Sequence, residues 1–247
     1  MLELICPRRC YICGENLTGR TAVSICRSCL QQVDFVRHPV CICCGLMLNT
    51  LADGQDRYCG DCLKSPPPFL HARSLAIYRE PVADLLRRFK YRAETPVIRV
   101  LDEILKTQSP EYADWHYDYI IPVPLHRARL KKRGFNQAAI IAAQAFTHRK
   151  KQIRTDLIRR VKNTVSQAGL DGKQRRKNLR NAFRVSEPAV VAGCRILLVD
   201  DVFTTGTTVA ACSRELKKAG AECVYVWTFS RVMPGYDQDS SVGTGNG

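Results

Sequence analysis

The groups best able to do chemistry in this 247-residue chain lie in one string, Ile196-Leu197-Leu198-Val199-Asp200-Asp201-Val202-Phe203-Thr204-Thr205-Gly206-Thr207-Thr208. Carboxylates accept hydrogen bonds from vicinal hydroxyls, and uncharged hydroxyl and backbone N–H donors at the start of a helix surround a phosphate. Asp200 and Asp201 supply the first group and Phe203 to Thr208 the second, with Gly206 allowing close backbone approach. A sugar phosphate fits this arrangement end to end. Each residue taken singly is an ordinary helix cap; four aliphatics, two acids, two spacers and TTGTT in order are harder to explain that way.

A second group is basic. After the apolar run Tyr119-Ile120-Ile121 come Pro122-Val123-Pro124 and then Arg127, Arg129, Lys131, Lys132 and Arg133, five cations in what reads as a loop. Cations in such a place can stabilise a departing anion, although a solvated basic face explains any one of them slightly better. Arg133-Gly134-Phe135-Asn136-Gln137 stands apart from a plain charge run, so Pro124, Arg127, Arg129, Lys131, Arg133, Gly134, Asn136 and Gln137 are the candidates.

The third group is sulfur. Ten of the 13 cysteines precede residue 63. Cys10/Cys13 and Cys26/Cys29 are separated by twelve residues, and Cys41/Cys44 and Cys59/Cys62 by fourteen. Two Cys-x-x-Cys knuckles complete a tetrahedral zinc shell with no open position, which assigns the metal to folding and not to catalysis. One or two zinc ions fit. Cys6 competes with Cys10, Cys43 competes with its neighbours, and an interleaved pairing of the knuckles is also open. Cys194, Cys212 and Cys223 read as interior residues.

These groups need elements to position them. Residues 1–64 are rich in cysteine and turn residues and bury little core of their own. Ser65-Pro66-Pro67-Pro68-Phe69 reads as a stiff joint within 65–70. In 71–232, Val82, Leu85, Leu86 and Phe89, then Val97, Val100, Leu101, Ile104 and Leu105, recur at helical spacing. Strands are expected at 119–124, 195–199 and 222–229, and helices at 137–146 and 207–219, the last closed by Gly220. That alternation predicts an open, doubly wound parallel α/β sheet whose ligands lie beyond the carboxyl ends of its strands. The polar 233–247 tail is expected to be disordered.

Composition bounds the rest. The formal charge is +15; each four-thiolate zinc shell carries −2, so two shells leave +11, still enough to attract phosphate-rich partners. No window approaches the ~20 apolar residues of a membrane span, and the N-terminus lacks an apolar signal region, so a cytoplasmic protein is expected. Arg149-Lys150-Lys151, Arg159-Arg160 and Lys173 to Arg180 form a basic stretch with few aromatics, equally readable as a solvated surface or as a contact for a phosphate backbone.

The VDDVFTTGTT string resembles the fingerprint of type I phosphoribosyltransferases, which bind phosphoribosyl pyrophosphate (PRPP). A double Cys-x-x-Cys ribbon, PPPF, Phe89-Lys90-Tyr91, PVPLHRARLKKRGFNQ and VDDVFTTGTT also occur in the order seen in the ComF family. Asn163-Thr164-x-x-Gln167-x-x-Leu170, Arg176-x-Asn178 and Ala182-Phe183 resemble that family's segment between the two loops. The resemblance implies a type I phosphoribosyltransferase-like domain behind a small zinc-ribbon module. It implies Asp200 and Asp201 on the ribose hydroxyls, as catalytic candidates, and Phe203 to Thr208 on the 5′-phosphate. Mg²⁺ would arrive chiefly with the pyrophosphate. It further implies handling of single-stranded DNA in competence, with DNA-uptake proteins as partners. Two other functions use the same pocket: a salvage or biosynthetic transferase acting on a nitrogen base, and a PRPP sensor without turnover.

Overall fold

Ile196–Val199, apolar at every position, forms the buried middle of a strand at the centre of a parallel sheet, as expected of a strand covered on both faces. This computed structural model describes residues 8–17, 24–48, 54–91, 95–108, 115–163 and 179–234. In chain order the elements are α1 (Arg27–Gln31), α2 (Gly60–Lys64), β1 (His71–Ile77), α3 (Val82–Tyr91), α4 (Thr95–Leu105), β2 (Tyr119–Pro122), α5 (Arg127–Arg133) and α6 (Gln137–Ala145). A 3₁₀ turn at Thr147–Gln152 follows, then β3 (Ile158–Arg160), β4 (Phe183–Val185), α7 (Pro188–Val191), β5 (Arg195–Phe203), α8 (Thr207–Lys218) and β6 (Cys223–Arg231).

The main sheet runs β1-β6-β5-β2, all parallel, and β3 pairs with β4 in a separate antiparallel ribbon. Period-2 alternation sends Leu197 and Val199 of β5 into a core with Leu86, Phe89, Val100, Ile104 and Ile141 of α3, α4 and α6. Ile196 and Leu198 face the other core, with Val209, Cys212 and Leu216 of α8 and Ile158 and Phe183 of the small ribbon. Helices therefore cover both faces, as the alternation of strand and helix predicts.

Several expectations are corrected. The basic stretch is not a loop: Arg127–Arg133 is the helix α5, capped by His126, whose Nδ1 accepts from the Ala128 N–H at 3.2 Å, and stopped by Gly134 at φ 83. Its Arg, Lys, Leu and Ala are all good helix formers with no breaker among them. β5 does not end at Val199 but pairs with β6 through Phe203, so Asp200 and Asp201 lie on the strand, not at its exit. β6 runs to Arg231, and α8 ends one residue early, with Ala219 as its cap and Gly220 left-handed at φ 92. Strand β1 was not expected, because His71, Arg73 and Ser74 hide its pattern. Their polar groups are partnered: Ser74 Oγ lies 2.7 Å from Thr228 Oγ1, and His71 Nδ1 lies 3.0 Å from the Ile42 carbonyl.

The cysteine-rich segment covers the open edge of β1. Phe35 bridges to Ala76, the Val36 N–H donates to the Leu75 carbonyl at 3.0 Å, and the Ala72 N–H donates to the Cys43 carbonyl at 2.6 Å. An edge so paired is protected from foreign strands. Cys10, Ile25, Cys29 and Val33 join the same core as Leu85 and Val100. Cys6, the Thr164 to Asn178 part of the family-like segment, Lys173 to Asn178 of the basic stretch and the tail beyond Pro234 lie outside the described residues.

Candidate functional site

The site is built where β5 passes into α8. The Asp201 N–H donates to Asp200 Oδ1 at 3.0 Å and the Val202 N–H to Asp201 Oδ1 at 2.8 Å, which orients both carboxylates against the strand. Asp201 Oδ2 also lies 3.6 Å from Lys90 Nζ of α3. Burial first, then the neighbouring Asp201 charge, pushes the Asp200 carboxyl well above the ordinary range, against the opposing backbone N–H and Lys90. A carboxyl in that state gains from a hydroxyl donor or a cation brought by a ligand.

The loop that follows turns on Gly206, left-handed at φ 69. A Cβ there would meet the Phe203 ring at 2.6 Å, so the position accepts only glycine without rearrangement. Thr204 and Thr205 are exposed, and Thr205 Oγ1 lies 2.7 Å from Thr207 Oγ1. Thr207 opens α8, and the first turn of a helix points backbone N–H groups that lack intrahelical acceptors toward such a loop. Phe203 plays a different part with its side chain: buried, it packs edge-on against Phe69 at 6.3 Å.

The basic candidates divide by task. Pro124 is buried in the turn between β2 and α5, and Arg127 and Lys131 are exposed on α5, with Arg129 and Arg133 half-buried. Arg133 donates to Gln137 Oε1 at 2.5 Å, and Gln137 is 2% exposed. Asn136 caps α6, accepting from the Ala138 N–H at 3.1 Å, while its Nδ2 donates to the Val123 carbonyl at 3.0 Å. Gly134, Asn136 and Gln137 thus set the geometry of the β2–α5–α6 connection.

Three cations near the site were not assigned to it from sequence, although Phe89-Lys90-Tyr91 and Arg159-Arg160 were noted for other reasons. Lys90 is the residue beside buried Phe89 on α3. Arg160 of β3 bridges His126 and is 8% exposed; burial, then the charge of Arg129, pushes its guanidinium below the ordinary range, while Cys212 and Asp200 oppose this. Arg231 ends β6 with its guanidinium 5.1 Å over the Phe203 ring. Arg160 stood out only as part of a basic stretch, and Arg231 only as the Arg closing Cys223–Arg231.

The cysteines form two shells. Sulfurs of Cys10, Cys13, Cys26 and Cys29 all lie within 4.8 Å of one another, as do those of Cys41, Cys44, Cys59 and Cys62. The pairing is sequential, not interleaved. Each shell has the N–H···S bonds of a zinc knuckle: the Cys26 N–H donates to Cys10 Sγ at 3.3 Å, and the Cys59 N–H to Cys41 Sγ at 3.3 Å. Although burial opposes ionisation, these and neighbouring N–H donors hold Cys10 down at about 6 and Cys41 at about 7. Burial and then the charge of Cys41 push Cys44 up to about 11. Four thiolates cannot crowd together without a cation, and a divalent ion at the centre resolves the conflict. The donor sets fit structural zinc. Cys43 stands outside, its Sγ 3.8 Å from the Phe69 carbonyl.

The double zinc ribbon domain family matches residues 1–63, and the phosphoribosyl transferase domain family matches residues 99–242. The chain is 34% identical over 228 residues to competence protein F of Haemophilus influenzae, covering 90% of this chain and 96% of the relative. It is 30% identical over 239 residues to the DNA utilization protein YhgH of Escherichia coli K12, covering 93% and 100%. With competence protein ComFC of Bacillus subtilis it shares 26% identity over 203 residues, 79% of each chain.

Proposed function

Because this chain belongs to the competence protein F family, with a double zinc ribbon preceding a phosphoribosyl transferase domain, we propose that it binds PRPP and handles single-stranded DNA during uptake, on the cytoplasmic side. The observation that carries the PRPP reading is the pairing of two half-buried carboxylates on β5 with a left-handed Gly206 at the head of α8. Asp200 and Asp201 accept hydrogen bonds from the ribose hydroxyls, and Phe203 to Thr208 hold the 5′-phosphate. Mg²⁺, carried on the pyrophosphate, meets hard carboxylate oxygens in the same pair. Lys90 of α3, 3.6 Å from Asp201, and Arg160 of β3, which interacts electrostatically with Asp200, favour a polyanion there. Calorimetry with PRPP and Mg²⁺ tests the assignment: the Asp200→Asn/Asp201→Asn double variant loses at least about tenfold in affinity, about 1.4 kcal/mol. Unchanged binding by that folded variant refutes it.

The DNA reading rests on the relatives' names, competence and DNA utilization, together with the formal charge of +15. Affinity for single-stranded DNA should fall about tenfold or more between about 50 and 200 mM salt, as the release of a few counterions requires. Tight binding that ignores salt counts against it. Among the described residues no helix is long and apolar enough to cross a membrane.

A further inference from the structure

The phosphate loop can be approached from a second side. A cleft of about 660 Å³ runs from the second zinc shell to Phe203, Thr204, Thr205, Gly206 and Thr207, and neither Asp200 nor Asp201 lines it. Ligand-binding clefts fall between about 300 and 1,000 Å³, so this one holds far more than a single phosphate. One wall is Pro66, Pro67 and Pro68, apolar surface of the kind that receives a base or sugar; Lys64 and Arg214 are exposed cations on the same cleft. Asp61 is the one carboxylate in its lining.

Arg231 lines the cleft from beneath. It is 3% exposed, and its Nη1 donates to the Cys44 carbonyl at 2.7 Å. Its Nε has no hydrogen-bond partner among the described residues. A buried guanidinium with an unmade hydrogen bond is costly unless a ligand or water completes it. It lies against Phe203, the same ring that a side chain at Gly206 would strike, so a cation, an apolar wall and the phosphate loop meet at one place.

We infer that a DNA single strand seats its 5′-terminal phosphate in the Thr204–Thr208 loop with its first nucleosides in the cleft beneath the second ribbon. The DNA end and the 5′-phosphate of PRPP then compete for one loop while arriving from different sides, PRPP over Asp200 and Asp201 and the strand over the prolines. This deepens the reading given above and rests on it.

Fluorescence anisotropy with a six-nucleotide oligothymidylate bearing a 5′-phosphate or a 5′-hydroxyl tests it. The phosphorylated strand should bind the full chain about tenfold more tightly, and ribose 5-phosphate should erase the difference. The Asp200→Asn/Asp201→Asn variant should keep the difference. Gly206→Ala should lose it, and a circular dichroism spectrum and zinc content matching the parent's show that this variant is folded. Equal affinities for the two strands, or a preference that survives Gly206→Ala, overturn this inference and leave DNA handling standing. Binding of neither strand overturns the DNA reading itself and this inference with it.

Discussion

Asp200 is held in an environment that resists its charge, by burial and then by Asp201 one residue away. Since its folded pKa lies above the unfolded value of about 3.9, the folded state binds the proton more tightly, and stability declines as pH rises from about 4 toward that raised value. Replacing it with Asn removes the ionisation. Ligand-free Asp200→Asn should therefore gain about 1 kcal/mol at pH 7, a rise of about 2 to 4 °C in melting temperature for a chain of this size. Near pH 4 the two proteins should melt together. Thermal scans at both values decide; an equal gain at pH 4 would point to a cause other than charge. The pair itself was legible in the sequence because two acids after four aliphatics are conspicuous. That Lys90, Arg160 and Arg231 join the pair was not, since each comes to the site from a distant stretch of chain and only the folded sheet brings it there.

Elements were legible where periodicity was clean. Val82 to Phe89 and Val97 to Leu105 form helices as their spacing predicts, and the apolar runs at 119–121 and 196–199 form strands. Composition misled where polar residues carry regular structure. In β1 the His71, Arg73 and Ser74 side chains are satisfied by Ile42, Cys41 and Thr228, partners invisible in a linear reading. In α5 a run of cations without breakers is a helix, not a loop. The junction between α5 and α6 then matters, because Asn136 both caps α6 and ties it to the Val123 carbonyl. Asn136→Ala removes the cap and leaves that carbonyl short of a donor, at a cost of about 1 to 2 kcal/mol. Denaturant melts should show a lower midpoint with an unchanged slope. A variant as stable as the parent would show that solvent replaces both bonds.

At the scale of the whole molecule, the ribbons are not an appendage, even though their sequence reads as a separate unit. Cys10, Ile25, Cys29 and Val33 share a core with α3 and α4, and the carbonyls of Asp34 and Cys43 accept from the Ile77 and Ala72 amides along the edge of β1. Zinc binding in a small cysteine module is folding free energy, so stripping the metal withdraws both packing and edge pairing from the sheet. Chelation should therefore act in sequence. The amides of Ala72 and Ile77 should lose hydrogen-exchange protection first, while β5 and β6 amides, paired on both sides, exchange through global unfolding. Because the sheet loses these supports, its melting temperature should also fall by several degrees, at about 2 to 4 °C per kcal/mol. Exchange mass spectrometry with and without a strong chelator separates the possibilities. If β1 stays protected and the sheet melts unchanged after the zinc is gone, the ribbons fold for their own sake and the coupling proposed between them and the sheet is wrong.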